Sequence, residues 1–208
     1  ALISIIMPSY NHSAYIGENI KSILNQTYVN WDLIIVDDAS SDKTKEVVEI
    51  FKDKRIKFFC NQNNKGISHA MNRAISEATG DYIAFTASDD LCLPHRLEIS
   101  LRYMENNPNV GLIFSKPGFI DANDNRIFNH PYQALFNHKG DDRLNLARQL
   151  LISGNCIFAS SGFGRVSVIK NTGSFNVLLR QLQDVDYWIR VLFKYNIRIF
   201  NKPLALYR

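Results

Sequence analysis

Four short apolar runs, residues 2–7, 31–36, 56–60 and 82–85, recur through the first half of the chain with a helical stretch between successive runs. Strands this uniformly apolar are buried on both faces, and helices of about ten residues between them serve as crossovers, so the pattern predicts a mainly parallel sheet with helices on both faces. The linking segments agree. Ile16, Ile20, Ile23 and Leu24 share one helical face, with Ser13 placed to cap it, and Val47, Val48 and Phe51 share a face over residues 44–51. A further helix is expected over residues 68–78, stopped by Gly80. In open sheets of this kind ligands bind beyond the carboxyl ends of the strands. That rule gathers the polar loops at residues 8–11, 37–42, 63–66 and 87–91 on one rim.

The second half is less regular. Helices are expected over residues 94–106, 144–152 and 185–193, the last entered through Asp184, and strands over 110–114, 126–128, 197–200 and 204–207. Residues 129–142 have no period and read as a mobile loop, and residues 153–165 are rich in Gly and Ser. At 208 residues, 46% hydrophobic and 21% charged, the chain can bury one sizeable core. It reads as a single domain over residues 1–208, cut from a longer protein, since it opens without Met.

A net charge of +4 permits an acidic ligand or peripheral contact with an anionic membrane. No Lys/Arg cluster tracks a nucleic-acid backbone, so no nucleic acid is expected as a partner. Cys60, Cys92 and Cys156 are odd in number and widely spaced, which fits a reducing compartment rather than a disulfide framework. No apolar run reaches membrane-spanning length. The expected location is cytoplasmic, including the inner face of the membrane.

The chemistry concentrates in two carboxylate pairs, each at a strand exit: Asp37-Asp38 and Asp89-Asp90. An isolated Asp-Asp is more often a solvated turn, and adjacent like charges repel. The cost is offset when a hard cation, Mg²⁺ or Mn²⁺, is held between carboxylate and phosphate. Two such stations along one rim match a nucleotide diphosphate better than either pair alone. No glycine-rich phosphate loop occurs, which disfavours P-loop and dinucleotide folds.

Several stretches then carry a family resemblance: Ile5-Ile6-Met7-Pro8-Ser9-Tyr10-Asn11, Ser22-Ile23-Leu24-Asn25-Gln26-Thr27-Tyr28 and Ile34-Ile35-Val36-Asp37-Asp38-Ala39-Ser40. To these are added Asn64-Lys65-Gly66, the segment from Ala78 to Phe85, Ser88-Asp89-Asp90, and Gln183-Asp184-Val185-Asp186-Tyr187-Trp188-Ile189-Arg190. In this order they resemble the family 2 inverting glycosyltransferases, which have the GT-A fold, over nearly the whole chain. The resemblance implies a nucleotide-binding half (residues 1–91) and an acceptor-binding half (residues 92–208). It implies transfer of a sugar from a nucleoside-diphosphate sugar, usually a UDP-sugar, to a hydroxyl of a glycan, glycolipid or glycoprotein.

Carried over by position, Pro8, Ser9 and Tyr10 line the base pocket, Asp38 accepts from the base, and Asp37 assists. Asp89 contacts the ribose and Asp90 ligates the metal. Asn11, Asn64, Lys65, Gly66 and Ser88 belong to the matching donor-binding loops. Asp184 is the general base, with capping of its own helix as the plainer role. His12 flanks the expected cleft, Asn155, Ser160 and Ser161 lie where acceptor loops occur, and Trp188 is expected in the core. Three departures stand out: Ala87 where an Asp is common, Gln183 where a Glu is common, and no His after Arg208 to join the metal. Ala87 and Gln183 keep a non-catalytic nucleotide-sugar or glycan-binding module as an alternative, with a sugar nucleotidyltransferase behind it.

Overall fold

The computed structural model describes residues 1–138 and 142–208. β1 (Ile3–Ser9) lies between two parallel neighbours, β2 (Trp31–Asp37) and β4 (Tyr82–Phe85), and β3 (Ile56–Cys60) pairs outside β2. The register sets Ser9 beside Asp37, so β1 and β2 end together and deliver their loops to one rim. Beyond β4 come β9 (Phe163–Arg165), β6 (Val110–Ser115) and β10 (Asn196–Phe200), giving the order β10-β6-β9-β4-β1-β2-β3. Every pairing is parallel except those of β9, which runs antiparallel to both neighbours. A small second sheet joins β5 (Leu91–Cys92), β11 (Ala205–Tyr207), β7 (Gly118–Ile120) and β8 (Arg126–Ile127).

Helices cover both faces. On one side α1 (Ile16–Leu24), α2 (Thr44–Glu49) and α4 (Arg96–Asn106) pack against Ile3, Ile5 and Met7. On the other, α3 (Ile67–Glu77), α5 (Arg143–Ile152), α6 (Val166–Thr172) and α7 (Gln183–Leu192) enclose Ile6, Ile34 and Phe85. Alternate side chains of β1 and β2 thus feed opposite layers, and each buried Ile or Leu contributes roughly 1.5–3 kcal/mol. The mixed α/β architecture is the one expected. Among the described residues no helix is long and apolar enough to cross a membrane.

Local departures have physical causes. α1 begins at Ile16 rather than next to Ser13, whose N–H instead donates to Asp42 Oδ2 at 2.9 Å. The aperiodic stretch 129–142 contains a 3₁₀ helix over Pro131–Phe136, started by Pro131, while residues 139–141 lie outside the described residues. The Gly- and Ser-rich stretch hides β9, and a Cβ on Gly164 would lie 2.0 Å from Leu112 Cδ2 and 3.0 Å from the Gly111 carbonyl. Glycine there lets the short strand slot between β4 and β6.

Candidate active site

The four strand-end loops meet at a cleft of about 440 Å³. Pro8, Ser9 and Tyr10 form one wall as β1 runs out, and Asp38 closes the next loop. Asn64 and Gly66 precede α3, and Ser88 and Asp89 follow β4 across the cleft. His12 also lines it, its Nδ1 2.6 Å from Ser88 Oγ. Asn11, Asp37, Lys65 and Asp90 do not line this cleft; the first three shape its loops, and Asp90 is 3% exposed next to the lining residue Asp89.

Asp37 folds back on its own loop, accepting from the Ser40 N–H at 2.8 Å and from the Ser40 hydroxyl. That turn carries Ala39 at φ +62, a left-handed conformation costly for an L-residue. Asn11, at φ +54, accepts from the Ser41 N–H at 2.9 Å and so ties the first loop to the second. Asp38 is 3% exposed and latches the third loop. It accepts from Asn61 Nδ2 at 2.7 Å, from the Lys65 N–H at 3.0 Å and from the Gly66 N–H at 2.7 Å. Gly66 stands at φ +91 at the entrance to α3, a region glycine reaches freely. The Lys65 N–H also reaches Asp38 Oδ1 at 3.1 Å, so each carboxylate oxygen receives two contacts and the side chain's roughly four acceptor positions are occupied within the protein.

Asp90 is buried behind Asp89, and burial first, then the neighbouring Asp89, pushes its carboxyl up to about 7. Hydrogen bonds from the Ser160 hydroxyl and the Arg208 N–H, the latter 3.1 Å from Oδ1, pull the other way. The residue 86–90 loop is held from beneath by Asn19, which is fully buried and donates through Nδ2 to the carbonyls of Ala87 and Asp90, each at 2.6 Å. Arg208 braces it from outside, donating to the Asp89 carbonyl at 2.8 Å and to the Asp121 carbonyl at 2.8 Å, and pairing with Asp124. A desolvated carboxylate in a rigid loop, next to a second one, suits a hard divalent cation. No group of three or more His, Cys, Asp or Glu ligands forms among the described residues, so phosphate oxygens and water would complete the shell.

Asp184 lies in the first turn of α7, one residue past its start. The cap position belongs to Leu182, at φ +58, so Asp184 does not serve as the cap. Its Oδ2 accepts from Asn155 Nδ2 at 2.7 Å, and burial raises its carboxyl above the ordinary range. Asp186, on another face of the helix, pairs with Arg190 at 2.9 Å. Asp184 lines a small pocket of about 130 Å³ together with Ser160, Gln183 and Trp188. Pro8, Ile67 and Ala87 line both this pocket and the larger cleft, making them adjoining compartments. Trp188 is 1% exposed, in the core as expected. Ser161 is buried between Ser115 and Phe158, away from both compartments.

Three supporting residues went unmarked in the motif reading. Asn19 left a signal, being the one polar residue in phase with Ile16, Ile20 and Ile23. Arg96, fully buried and bonded to the carbonyls of Phe85 and Gly162, lies in phase with Ser100 and Met104. Arg208 left none, because its contacts depend on how the second sheet returns to β5.

Residues 4–170 match the family model described as Glycosyl transferase family 2. An uncharacterized glycosyltransferase of Methanocaldococcus jannaschii is 34% identical over 212 residues, covering 100% of this chain and 70% of that protein. The Escherichia coli UDP-Glc:alpha-D-GlcNAc-diphosphoundecaprenol beta-1,3-glucosyltransferase WfgD is 43% identical over 122 residues, 59% of this chain and 48% of that one. The crystal structure of S. aureus TarS 1–349 in complex with UDP has a TM-score of 0.81 at 20% identity, covering 100% of this chain and 60% of that chain, a likeness of fold. This chain therefore spans less than two thirds of the WfgD and TarS chains.

Proposed function

This chain belongs to glycosyl transferase family 2 and is a glycosyltransferase, and we propose that it transfers a sugar from a UDP-sugar to an acceptor hydroxyl with inversion. The observation that carries the reading is the adjacency of two compartments, the strand-end cleft and the Asp184 pocket, which share Pro8, Ile67 and Ala87. Uridine would lie between Pro8, Tyr10 and Asp38, which line one end of the cleft. The diphosphate would then run toward Ser88, Asp89 and Asp90. WfgD uses a UDP-sugar by its name, and TarS was crystallised with UDP.

Asp90, with Asp89 beside it, would hold Mg²⁺ or Mn²⁺. Such an ion offsets charge gathering on a departing diphosphate. Asp184 takes the acceptor hydroxyl's proton while that oxygen attacks the anomeric carbon. The bond from that carbon to the diphosphate oxygen breaks, and its electron pair leaves with UDP. Attack from the side opposite the leaving group inverts the anomeric centre. Asn155 keeps Asp184 in place, and the apolar walls around it exclude competing water. The acceptor hydroxyl belongs to a glycan, glycolipid or glycoprotein, and a lipid-linked acceptor would bring the protein to a membrane surface.

The test is UDP release from a panel of UDP-sugars, with and without Mn²⁺ and a glycan acceptor, comparing wild type with Asp184→Asn. Acceptor-stimulated release that needs the metal and Asp184 is expected. Pyrophosphate formed from UTP would instead mark a nucleotidyltransferase, and binding without turnover a non-catalytic module.

A further inference from the structure

From Arg143 to Gln183 the chain carries five cations and no Asp or Glu. α5 lies in this stretch and is apolar on two sides. Leu146 and Leu150 are buried in the core layer that also holds Val185 and Trp188 of α7. Leu144, Leu151 and Ile152, on the outer side, are each at least 70% exposed. A helix with apolar residues all round is ordinarily covered on every side. The segment entering α7 repeats the pattern, with Leu178 86% and Leu182 63% exposed. Leu182 stands at φ +58, a left-handed conformation costly for Leu. The hydrogen bond from Asn155 to Asp184 keeps the end of α5 beside the start of α7. Single exposed leucines are common on soluble proteins, but several together mark an interaction surface.

Charge identifies the partner. Arg148 and Arg180 are exposed and pair with no carboxylate among the described residues. Acids flanking the stretch are engaged: Asp142 accepts from the Asn145 N–H at 3.2 Å, and Asp186 pairs with Arg190 at 2.9 Å. A bilayer with anionic headgroups answers both needs, its headgroups meeting the guanidinium groups and its acyl boundary the leucines. A second copy related by a two-fold axis would set the patch against itself, arginine facing arginine with no acid between. A nucleic-acid backbone would satisfy the arginines and leave the leucines in water. We propose that the outer side of α5 and residues 176–182 form a docking surface for an anionic lipid bilayer. Docking there holds the Asp184 end of α7 at the lipid surface. The surface stands apart from the UDP-sugar reading, because its apolar and basic groups hold a bilayer whatever the donor.

Flotation of the 208-residue chain with vesicles, in the absence of nucleotide, tests the surface. One set of vesicles is phosphatidylcholine alone and the other a phosphatidylcholine–phosphatidylglycerol mixture. Wild type should float with the mixture, far less with phosphatidylcholine alone, and less again as salt rises. Leu151→Ser with Ile152→Ser should weaken binding to the mixture about tenfold. Arg148→Gln with Arg180→Gln should weaken it about fivefold for each arginine removed. Both double variants should keep the wild-type melting temperature and transfer to a soluble acceptor, since these residues are exposed and line neither the cleft nor the Asp184 pocket. No flotation, equal flotation with both vesicle types, or wild-type binding by both variants would overturn the docking surface. Sedimentation velocity without vesicles covers the other occupant: a dimer that Leu151→Ser with Ile152→Ser dissolves would put a second copy on the patch and overturn the bilayer. Should the serine variant melt below wild type, the arginine variant decides. With no nucleotide present, each of these outcomes leaves the UDP-sugar reading standing.

Discussion

The side-chain amide of Asn155 donates to Asp184 Oδ2 at 2.7 Å, joining the segment after α5 to the first turn of α7. Burial raises the Asp184 carboxyl, while the Val185 N–H and the Asn155 amide hold it partly down. A general base works ionised, so activity is lost as pH falls through its pKa, and a raised pKa moves that loss to higher pH. Replacing Asn155 with Ala removes one restraint, so the acid limb of kcat/KM should move further up the pH scale. An unmoved limb in the variant would show that the amide has no hold on the proton.

Asp184→Asn keeps the shape and removes the basicity. Turnover should fall at least ~10²-fold, with UDP affinity within about twofold, because the cleft that takes the nucleotide does not include Asp184. Single-turnover transfer to a glycan acceptor measures it, and full activity would place the base elsewhere.

Asp90 makes the metal-free protein pH-sensitive. Its folded carboxyl ionises near about 7, against ~3.9 in an unfolded chain, so the folded state holds the extra proton between those values. Stability contributed by the protonated group is present below about pH 4, declines as pH rises toward about 7, and then levels off. In the presence of a chelator, Asp90→Asn should therefore stabilise the fold at pH 8, by up to about 4 kcal/mol if the whole shift is realised, and raise its melting temperature. The same variant should lose at least ~10²-fold in transfer and should no longer be stabilised by Mn²⁺ with UDP. A variant melting below wild type at pH 8 without metal would contradict the buried-charge account.

Asn19→Leu conserves volume and strips the donors from the Ala87 and Asp90 carbonyls. With buried carbonyls unpaired, the fold should lose about 2–3 kcal/mol and KM for the UDP-sugar should rise. Thermal melts and initial rates at varied donor concentration test both, and an unchanged KM would confine Asn19 to stability.

The strands and helices of the first half were legible because each is long enough to show its period, and the strand-end rule then placed Ser9, Asp38, Asn64 and Asp89 around one cleft. The roles of Asp37 and Asn11 were not legible in the same way: hydrogen bonds to Ser40 and Ser41 that hold backbone at positive φ leave no trace in apolar spacing. β9 is three residues long and flanked by small residues, too short for any period to register. Arg208 reaches the Asp89 carbonyl through pairings between segments far apart in sequence, which no local pattern encodes.

The antiparallel insertion of β9 imposes an order on biosynthesis. β4 leaves the ribosome long before Phe163 exists to cover its edge, and β6 waits beside an equally open gap. A nascent chain halted before that point offers two exposed strand margins to chaperones or to neighbouring chains. The central sheet becomes continuous only once this late-arriving tripeptide closes the seam between its older neighbours.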